Sequence, residues 1–203
     1  TDASLMDDLR PQNKLYRDLK ITEKYFGGVL PFEVLLKLDK DNNIPNNTLL
    51  DPFFIPYLEK VEKLLNNELR DSRFFSLNTL LKSVKRVRGD NEEIFYDKSF
   101  IDQIINSRSK DQIKLISDDN QTLRITGLIE NKTSSEMESI YGRLDSLEKS
   151  FPDYLDIECT GTTVVALRTN DYLVQSLVNS LGLALFFISI VIAIMFRKKS
   201  ILF

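Results

Sequence analysis

One uncharged stretch decides how this chain is organised: residues 172–196, YLVQSLVNSLGLALFFISIVIAIMF. At about 1.5 Å per residue, a helix of this length reaches roughly 37 Å, which exceeds the ~30 Å hydrocarbon core of a bilayer. Residues 181–196 are apolar except for Ser189. The earlier half carries a polar stripe at helical spacing, formed by Gln175, Ser176, Asn179 and Ser180. We therefore predict a transmembrane helix over 172–196, with its polar stripe at the membrane interface or against protein.

The cations after this stretch indicate its orientation. Arg197, Lys198 and Lys199 follow at once, and the positive-inside rule places such a cluster in the cytoplasm. We expect residues 1–171 in a periplasm or extracellular space, and residues 197–203 at the cytoplasmic start of the next segment. Before these cations the chain has 24 basic and 30 acidic residues, a net charge of −6. An acidic domain outside the cytoplasm is not expected to bind nucleic acid.

The composition excludes several kinds of site. The chain has 203 residues, no histidine and one cysteine, Cys159. The lack of histidine excludes imidazole bases and His-ligated zinc or haem, and one cysteine excludes an intramolecular disulfide or a Cys-cluster metal site. Serine and acidic residues are plentiful, but no spacing singles out a nucleophile or a carboxylate pair. We predict no enzyme, no catalytic residue, no cofactor and no metal site.

Hydrophobic periodicity before the membrane stretch predicts an alternating order of strands and helices. The predicted strands are 32–38, 73–76, 113–117, 122–130 and 155–159. The predicted helices are 19–26, 51–69, 77–87, 98–106 and 133–151, the last opened by a capping box, Thr133-x-x-Glu136. The turn chemistry of residues 118–121 predicts a hairpin. This order favours an α+β fold: a ferredoxin-like split β-α-β domain over residues 1–171, with a helical insertion at about 77–110 and one transmembrane helix after it.

Residues 39–50 begin like a calcium-binding loop but do not continue like one. Asp39-x-Asp41-x-Asn43 has the ligand spacing of such a loop, yet its sixth position is Ile44 instead of glycine and its twelfth is Leu50 instead of glutamate. Both positions are essential to the loop geometry and to the bidentate ligand. We interpret the segment as a solvated turn.

Other candidate sites have simpler structural explanations. Lys82, Lys85, Arg86 and Arg88 could hold phosphate or lipid headgroups, but on a helix they are more typical of a solvated face. Cys159 lies on the apolar side of a strand pattern and is interpreted as a small core residue. Gly27-Gly28 lacks the rest of a phosphate-binding fingerprint and is interpreted as a turn. Three N-x-T sequons matter only if the cell glycosylates secreted proteins: Asn46, Asn120 and Asn131.

Four segments, in order along nearly the whole chain, resemble the extracytoplasmic loops of the RND (resistance–nodulation–division) superfamily, particularly its MMPL-type and Patched-like exporters. YFGGVLPFEVLLKLD (25–39) resembles their FGG-x-x-P-x-E-V opening, and LLDPFFIPYLEKVEKLL (49–65) their first long helix. LRITGLIENKTSSEMESI (123–140) is similar to the strand and helix after the lid. TGTTVVALRTNDYLVQSLVNSLGLALFFISIVIAIMFRKKSI (160–201) is similar to the Thr-Gly segment, the SL-x-L-A start of the span and the FRS-like exit, where this chain has Lys198 in place of serine.

The resemblance implies a fragment of a proton-driven efflux permease with twelve spans in two halves, located in the cell (inner) membrane. Residues 1–171 would be its periplasmic porter domain, in which lid and sheet bound a cleft for a lipidic or amphiphilic substrate. The implied partners are the further transmembrane helices, the second porter domain, the bilayer and, as an open option, other copies in an oligomer. The family's proton-carrying residues lie on later helices, so none is assigned here. The opening of the chain resembles more the loop between spans seven and eight, and both ends are expected to be cut from a longer protein.

Two other classes of protein are alternatives. One is a single-pass, membrane-anchored extracytoplasmic binding or sensor domain, which needs no further spans. The other is an anchored hydrolase, for which the sequence offers no nucleophile–base pair. The number of further spans in the complete protein distinguishes the permease from the anchored domain.

Overall fold

Helices and strands alternate along the residues that the computed structural model describes, which are 9–39, 48–70, 72–88, 98–106 and 114–197. The chain is α+β and divides into two units, Thr1–Val164 and Val165–Phe203. The strands are β1 (Leu30–Leu38), β2 (Arg73–Phe75), β3 (Thr122–Ile129) and β4 (Leu155–Thr160). The helices are α1 (Lys14–Phe26), α2 (Ile55–Glu68, after a 3-10 turn at Pro52–Phe54), α3 (Leu77–Arg88), α4 (Lys98–Asn106), α5 (Ser134–Glu148) and α6 (Thr162–Arg197).

The four strands form one antiparallel sheet in the order β2-β3-β1-β4. The central strand β1 pairs with β3 from Leu30↔Ile129 to Lys37↔Thr122. On its other side β1 pairs with β4, from Glu33↔Thr160 to Leu38↔Leu155. Successive side chains of a strand point to opposite faces of a sheet, so this register gives the sheet one apolar face and one polar face.

The apolar face carries the core of the first unit. Its side chains are buried and alternate along three strands: Phe32, Val34, Leu36, Leu123, Ile125, Leu155 and Ile157. Helix α2 contacts β2 and α5, and α5 contacts β4; these helices bury their own apolar residues at helical spacing, Leu58, Val61 and Leu65 on α2 and Met137, Ile140 and Leu144 on α5. Burial of one such side chain contributes about 1.5–3 kcal/mol.

Two glycines control how the chain enters β1. Gly27 ends α1 in the left-handed region, at φ 78°, and its N–H donates to the carbonyl oxygen of Glu23 at 2.9 Å. A Cβ on Gly28 would lie 2.4 Å from the carbonyl carbon of Ile129. Only glycine permits this approach, and the predicted turn at Gly27-Gly28 is confirmed.

The capping box that was expected at Thr133 is present. The Thr133 side chain accepts from the backbone N–H of Glu136 at 3.4 Å, and the Glu136 carboxylate accepts from the N–H of Thr133 at 2.9 Å. These bonds satisfy two backbone donors that the first turn of a helix otherwise leaves open. Helix α5 therefore begins where its sequence predicts.

The hairpin predicted around residues 118–121 is confirmed, but its first strand is shorter than predicted. In the described residues it pairs with β3 through the bridge Ile116↔Leu123, which is flanked by backbone bonds from Ser117 N–H to the Thr122 carbonyl oxygen at 3.0 Å and from Arg124 N–H to the Leu115 carbonyl oxygen at 2.8 Å; residue 113 lies outside the described residues. The Ser117 hydroxyl accepts from the N–H groups of Gln121 and Thr122 at 3.2 and 2.9 Å, and Asn120 has φ 57°. These side-chain bonds satisfy backbone donors within the turn and shorten the pairing beside it.

Helix α1 begins five residues before the start that periodicity predicts. Asn13 is its N-cap, and its side chain accepts from the N–H of Leu15 at 3.0 Å. In the predicted insertion at 77–110, the structure describes α3 and α4, while residues 89–97 and 107–110 lie outside the described part.

Helix α6 is continuous from Thr162 to Arg197. By length and composition its part Thr162–Ile194 can cross a membrane: its mean hydropathy is 2.5 over the apolar window, in which no residue is buried. The hydroxyls of Ser180 and Ser189 donate to carbonyl oxygens of the same helix, at 2.7 and 2.8 Å, which satisfies their donors without another protein group. Among the described helices this is the one that meets the criteria for a span, and it supports membrane association.

Candidate functional site

A cavity of about 530 Å³ lies along α2, where α3 contributes one side chain to its wall. The lining is mostly charged and comprises Pro56, Glu59, Lys60, Glu62, Lys63, Asn66, Asn67 and Lys82. Because α2 turns its apolar stripe toward the sheet, its polar residues are left to line this outer side.

A buried carboxylate forms one wall of this cavity. Glu62 is 8% exposed and accepts hydrogen bonds from the Ser76 hydroxyl and from Nδ2 of Asn78, the latter at 2.6 Å. Ser76 in turn caps α3, because its Oγ accepts from the N–H of Thr79 at 3.1 Å. A buried carboxylate needs such partners, and a hydrogen bond to a charged group contributes about 1.5–3 kcal/mol. Glu62 therefore fixes the start of α3 against α2.

The remaining lining groups give the cavity its binding chemistry. Nζ of Lys82 pairs with Oε1 of Glu59 at 2.5 Å. Nζ of Lys60 lies 5.5 Å from the centroid of the Tyr57 ring and 5.8 Å from that of Phe151, within the range of cation–π attraction. Three ammonium groups face two carboxylates in the lining. Such a wall suits an anionic or zwitterionic head group better than an alkyl chain, and it holds no hydroxyl or thiol nucleophile.

The polar face of the sheet carries a second group of charges. Glu33, Lys37, Arg124 and Glu158 lie on it, and two cross-strand ion pairs join them: Arg124 with Glu33, and Lys37 with Glu158. The side chains of this face are half-buried or exposed. Cross-strand charge pairs on such a face mainly favour the register.

A second cavity, of about 580 Å³, lies at the end of the sheet where β4 is the last strand. Four carboxylates and one ammonium line it together with Leu38 and Leu155: Asp39, Glu148, Asp153, Asp156 and Lys37. Oε2 of Glu148 accepts from the N–H of Ile157 at 3.1 Å. The pKa of Glu148 is raised above its ordinary value, mainly by burial and also by the charges of Asp156 and Asp145. The hydrogen bond from Ile157 acts in the opposite direction.

The structure distributes the predicted site residues over different places. Lys82 lines the α2 cavity, Lys85 is half-buried, Arg86 is exposed, and the side chain of Arg88 lies outside the described part. Cys159 was expected in the core but is half-buried, near the end of β4. Of the calcium-like loop, Asp39 is described, while Asp41, Asn43 and the sequon at Asn46 lie outside the described residues.

Sequence reasoning did not find Glu62, Glu148 or the acidic cavity. Glu62 interrupts an apolar stripe on α2, and Ser76, directly before α3, is a residue type that commonly caps a helix; these are the two available signals. Glu148 gives no signal, because its role depends on how α5 ends beside β4. In the described residues, no group of three or more His, Cys, Asp or Glu side chains is arranged to hold a metal ion.

Comparison of the chain with protein-family models, with curated proteins and with solved structures gives no match.

Proposed function

We propose that this chain is the porter domain and the following transmembrane helix of an RND-type, MMPL-like efflux permease that exports lipidic or amphiphilic substrates. One observation carries the proposal: a β2-β3-β1-β4 antiparallel sheet followed, after Thr160 and Gly161, by an apolar helix of spanning length. The strands β1 and β2 flank β3, and β3 and β4 flank β1. Two interleaved β-α-β units of this kind are the pattern of a ferredoxin-like fold.

The same proposal assigns a role to the α2 cavity. Its ammonium groups, Lys60, Lys63 and Lys82, would contact the anionic head group of an amphiphile, while the alkyl part stays with lipid or with other parts of the permease. Glu62 would hold α3 in place as one wall. In this assignment the cavity selects by charge, and the energy for transport comes from proton passage through helices outside this chain.

Topology is the first test. In a Cys159→Ser background, a cysteine introduced at exposed Glu138 should react with a membrane-impermeant maleimide on intact cells. A cysteine introduced at Ser200 should react only after permeabilisation. The reverse labelling would overturn the orientation derived from Arg197, Lys198 and Lys199.

Export is the second test. In cells that make the complete protein, efflux of a fluorescent anionic amphiphile should stop on addition of a protonophore. The triple change Lys60→Gln, Lys63→Gln, Lys82→Gln should reduce efflux at matched abundance, whereas Lys24→Gln on exposed α1 should not. A complete protein whose only membrane-spanning segment in such labelling experiments is α6 would instead support an anchored single-pass domain.

A further inference from the structure

We propose that the outer edge of β4 is an addition site for an extended segment with basic side chains at alternate positions, and that Glu148 occupies this edge until the segment binds. The segment would continue the sheet beyond β4. This inference does not depend on the transport function, because it rests on the backbone and the charges of the first unit alone.

The geometry of β4 shows where a further strand would attach. In the described sheet, β4 stands last in the order and pairs with β1 on its inner side. In an antiparallel pair, backbone groups point alternately toward the partner and away from it. The N–H of Ile157 points away from β1, since it donates to the side chain of Glu148. An incoming strand would offer a carbonyl oxygen at this place.

The Glu148 carboxylate already occupies the position that the carbonyl oxygen of an incoming strand would take. It is the last residue of α5, and its Oε2 lies 3.1 Å from the backbone nitrogen of Ile157. Proteins commonly protect exposed strand edges with charged side chains, which discourage unwanted pairing. The nearby carboxylates of Asp145 and Asp156 oppose the charge of Glu148, so a ligand that brings positive charge relieves this repulsion when it displaces Glu148.

Charge complementarity defines the partner. Among the described residues, the lining of the cavity along this edge has four carboxylates, from Asp39, Glu148, Asp153 and Asp156, and one ammonium group, that of Lys37, which is paired with Glu158. On β4, Asp156 and Glu158 are exposed and alternate with buried Leu155 and Ile157. A segment with lysine or arginine at every second position would place its cations opposite these carboxylates.

A second copy of this chain is a poorer occupant of the edge. Pairing of β4 with β4 of another copy would bring Asp156 and Glu158 against the same two carboxylates. Like charges directly opposite each other in a sheet are destabilising. The edge therefore selects against self-association and for a basic strand.

The test uses the full chain in detergent micelles and a seven-residue peptide of alternating lysine and valine, labelled for fluorescence polarisation. This peptide should bind at least ten-fold more tightly than one in which glutamate replaces lysine. N-methylation of alternate amides on the pairing edge should abolish binding, and the bound peptide should slow hydrogen exchange at the Ile157 amide. Equal binding of both peptides, or binding that survives N-methylation, would overturn strand addition.

A charge-conserving variant isolates the role of Glu148. Glu148→Asp keeps the charge but shortens the side chain by one methylene, so the Ile157 N–H is released and peptide affinity should rise several-fold. Glu138→Asp, the same change at an exposed site on α5, should leave affinity unchanged. Asp156→Asn should lower affinity. No change with Glu148→Asp would overturn the guarding role, and β4-mediated dimers or Ca²⁺ binding that displaces the peptide would overturn the basic-strand assignment.

Discussion

The two faces of the sheet are made by the same strands and differ only in alternate residues. On β1, Phe32, Val34 and Leu36 are buried, while Glu33 and Lys37 between them form ion pairs with β3 and β4. The apolar face gains stability from removal of its side chains from water, which is a large effect. The polar face gains little from charge pairs in contact with solvent. The stability of the sheet is thus concentrated on one of its two faces.

The largest expected difference is between neighbouring leucines of β1. Leu36→Ala empties a site in the buried core and should reduce the free energy of unfolding by about 2–5 kcal/mol. Leu35→Ala makes the same chemical change on the polar face, where Leu35 is half-buried, and should cost about 1 kcal/mol. Chemical unfolding of the full chain in micelles, followed by circular dichroism, measures both values. Equal losses would break the distinction between the faces.

Two glycines, one in β3 and one in α5, test the close approach of β2 to β3. A Cβ on Gly127 would lie 2.7 Å from the carbonyl oxygen of Arg73 and from the Phe74 ring, whereas a Cβ on Gly142 in α5 meets nothing within 4 Å. Gly127→Ala should therefore cost about 1–3 kcal/mol. Gly142→Ala should stabilise by about 0.5–1 kcal/mol, because alanine is the better helix former. Thermal unfolding should shift in opposite directions, and a shift of both in the same direction would contradict the close approach of β2 to β3.

The cap of α5, which covers the apolar face, should respond to acid. The bond from the backbone of Thr133 lowers the pKa of Glu136 from its ordinary value of 4.5, and Lys132 adds to this. A carboxyl with a lowered folded-state pKa stabilises above its unfolded-state pKa, and this contribution is lost as the pH falls through the folded-state value. The free energy of unfolding should be measured from pH 7 to pH 3. Glu136→Gln should reduce how far this free energy falls in acid, and should lower it by about 1 kcal/mol or less at pH 7. If the free energy of unfolding of this variant falls with pH as it does in the unchanged protein, carboxyl groups other than Glu136 cause the fall.

The smallest expected effect belongs to the polar face itself. A double-mutant cycle on Arg124 and Glu33 should give a coupling of about 0.2–1 kcal/mol that decreases with added salt. The cycle on Lys37 and Glu158, whose side chains are 37% and 48% exposed, should give less. A coupling of several kcal/mol would mean that the polar face also carries stability.

The order of elements could be predicted from the amino-acid sequence where one local signal dominates. Alternation in β1, helical spacing in α2, the glycines that end α1 and the capping box at Thr133 each depend on neighbours within a few residues. The register of β1 with β3 also agrees with the buried faces of the predicted strands, because a shift by one residue would expose every core side chain.

The parts that could not be predicted depend on distant contacts or on competing hydrogen bonds. The hairpin before β3 forms as predicted, but its first strand is limited to one bridge, because the Ser117 hydroxyl accepts from the N–H of Thr122 in place of a backbone carbonyl. Glu62 and Glu148 are ordinary helix residues by sequence. Only the approach of α3 and β4 gives them partners, and for Glu148 no local pattern contains that information.

The central position of β1 has a consequence for the order in which the protein is made. Leu30 pairs with Ile129 and Glu33 with Thr160, so the first strand to be synthesised needs both of its neighbours from much later in the chain. At about 5–20 residues per second, β1 waits on the order of ten seconds for β4. Sheets that depend on such distant pairings fold slowly. The apolar side of β1 therefore stays without its neighbouring strands until the segment that leads into α6 has been synthesised.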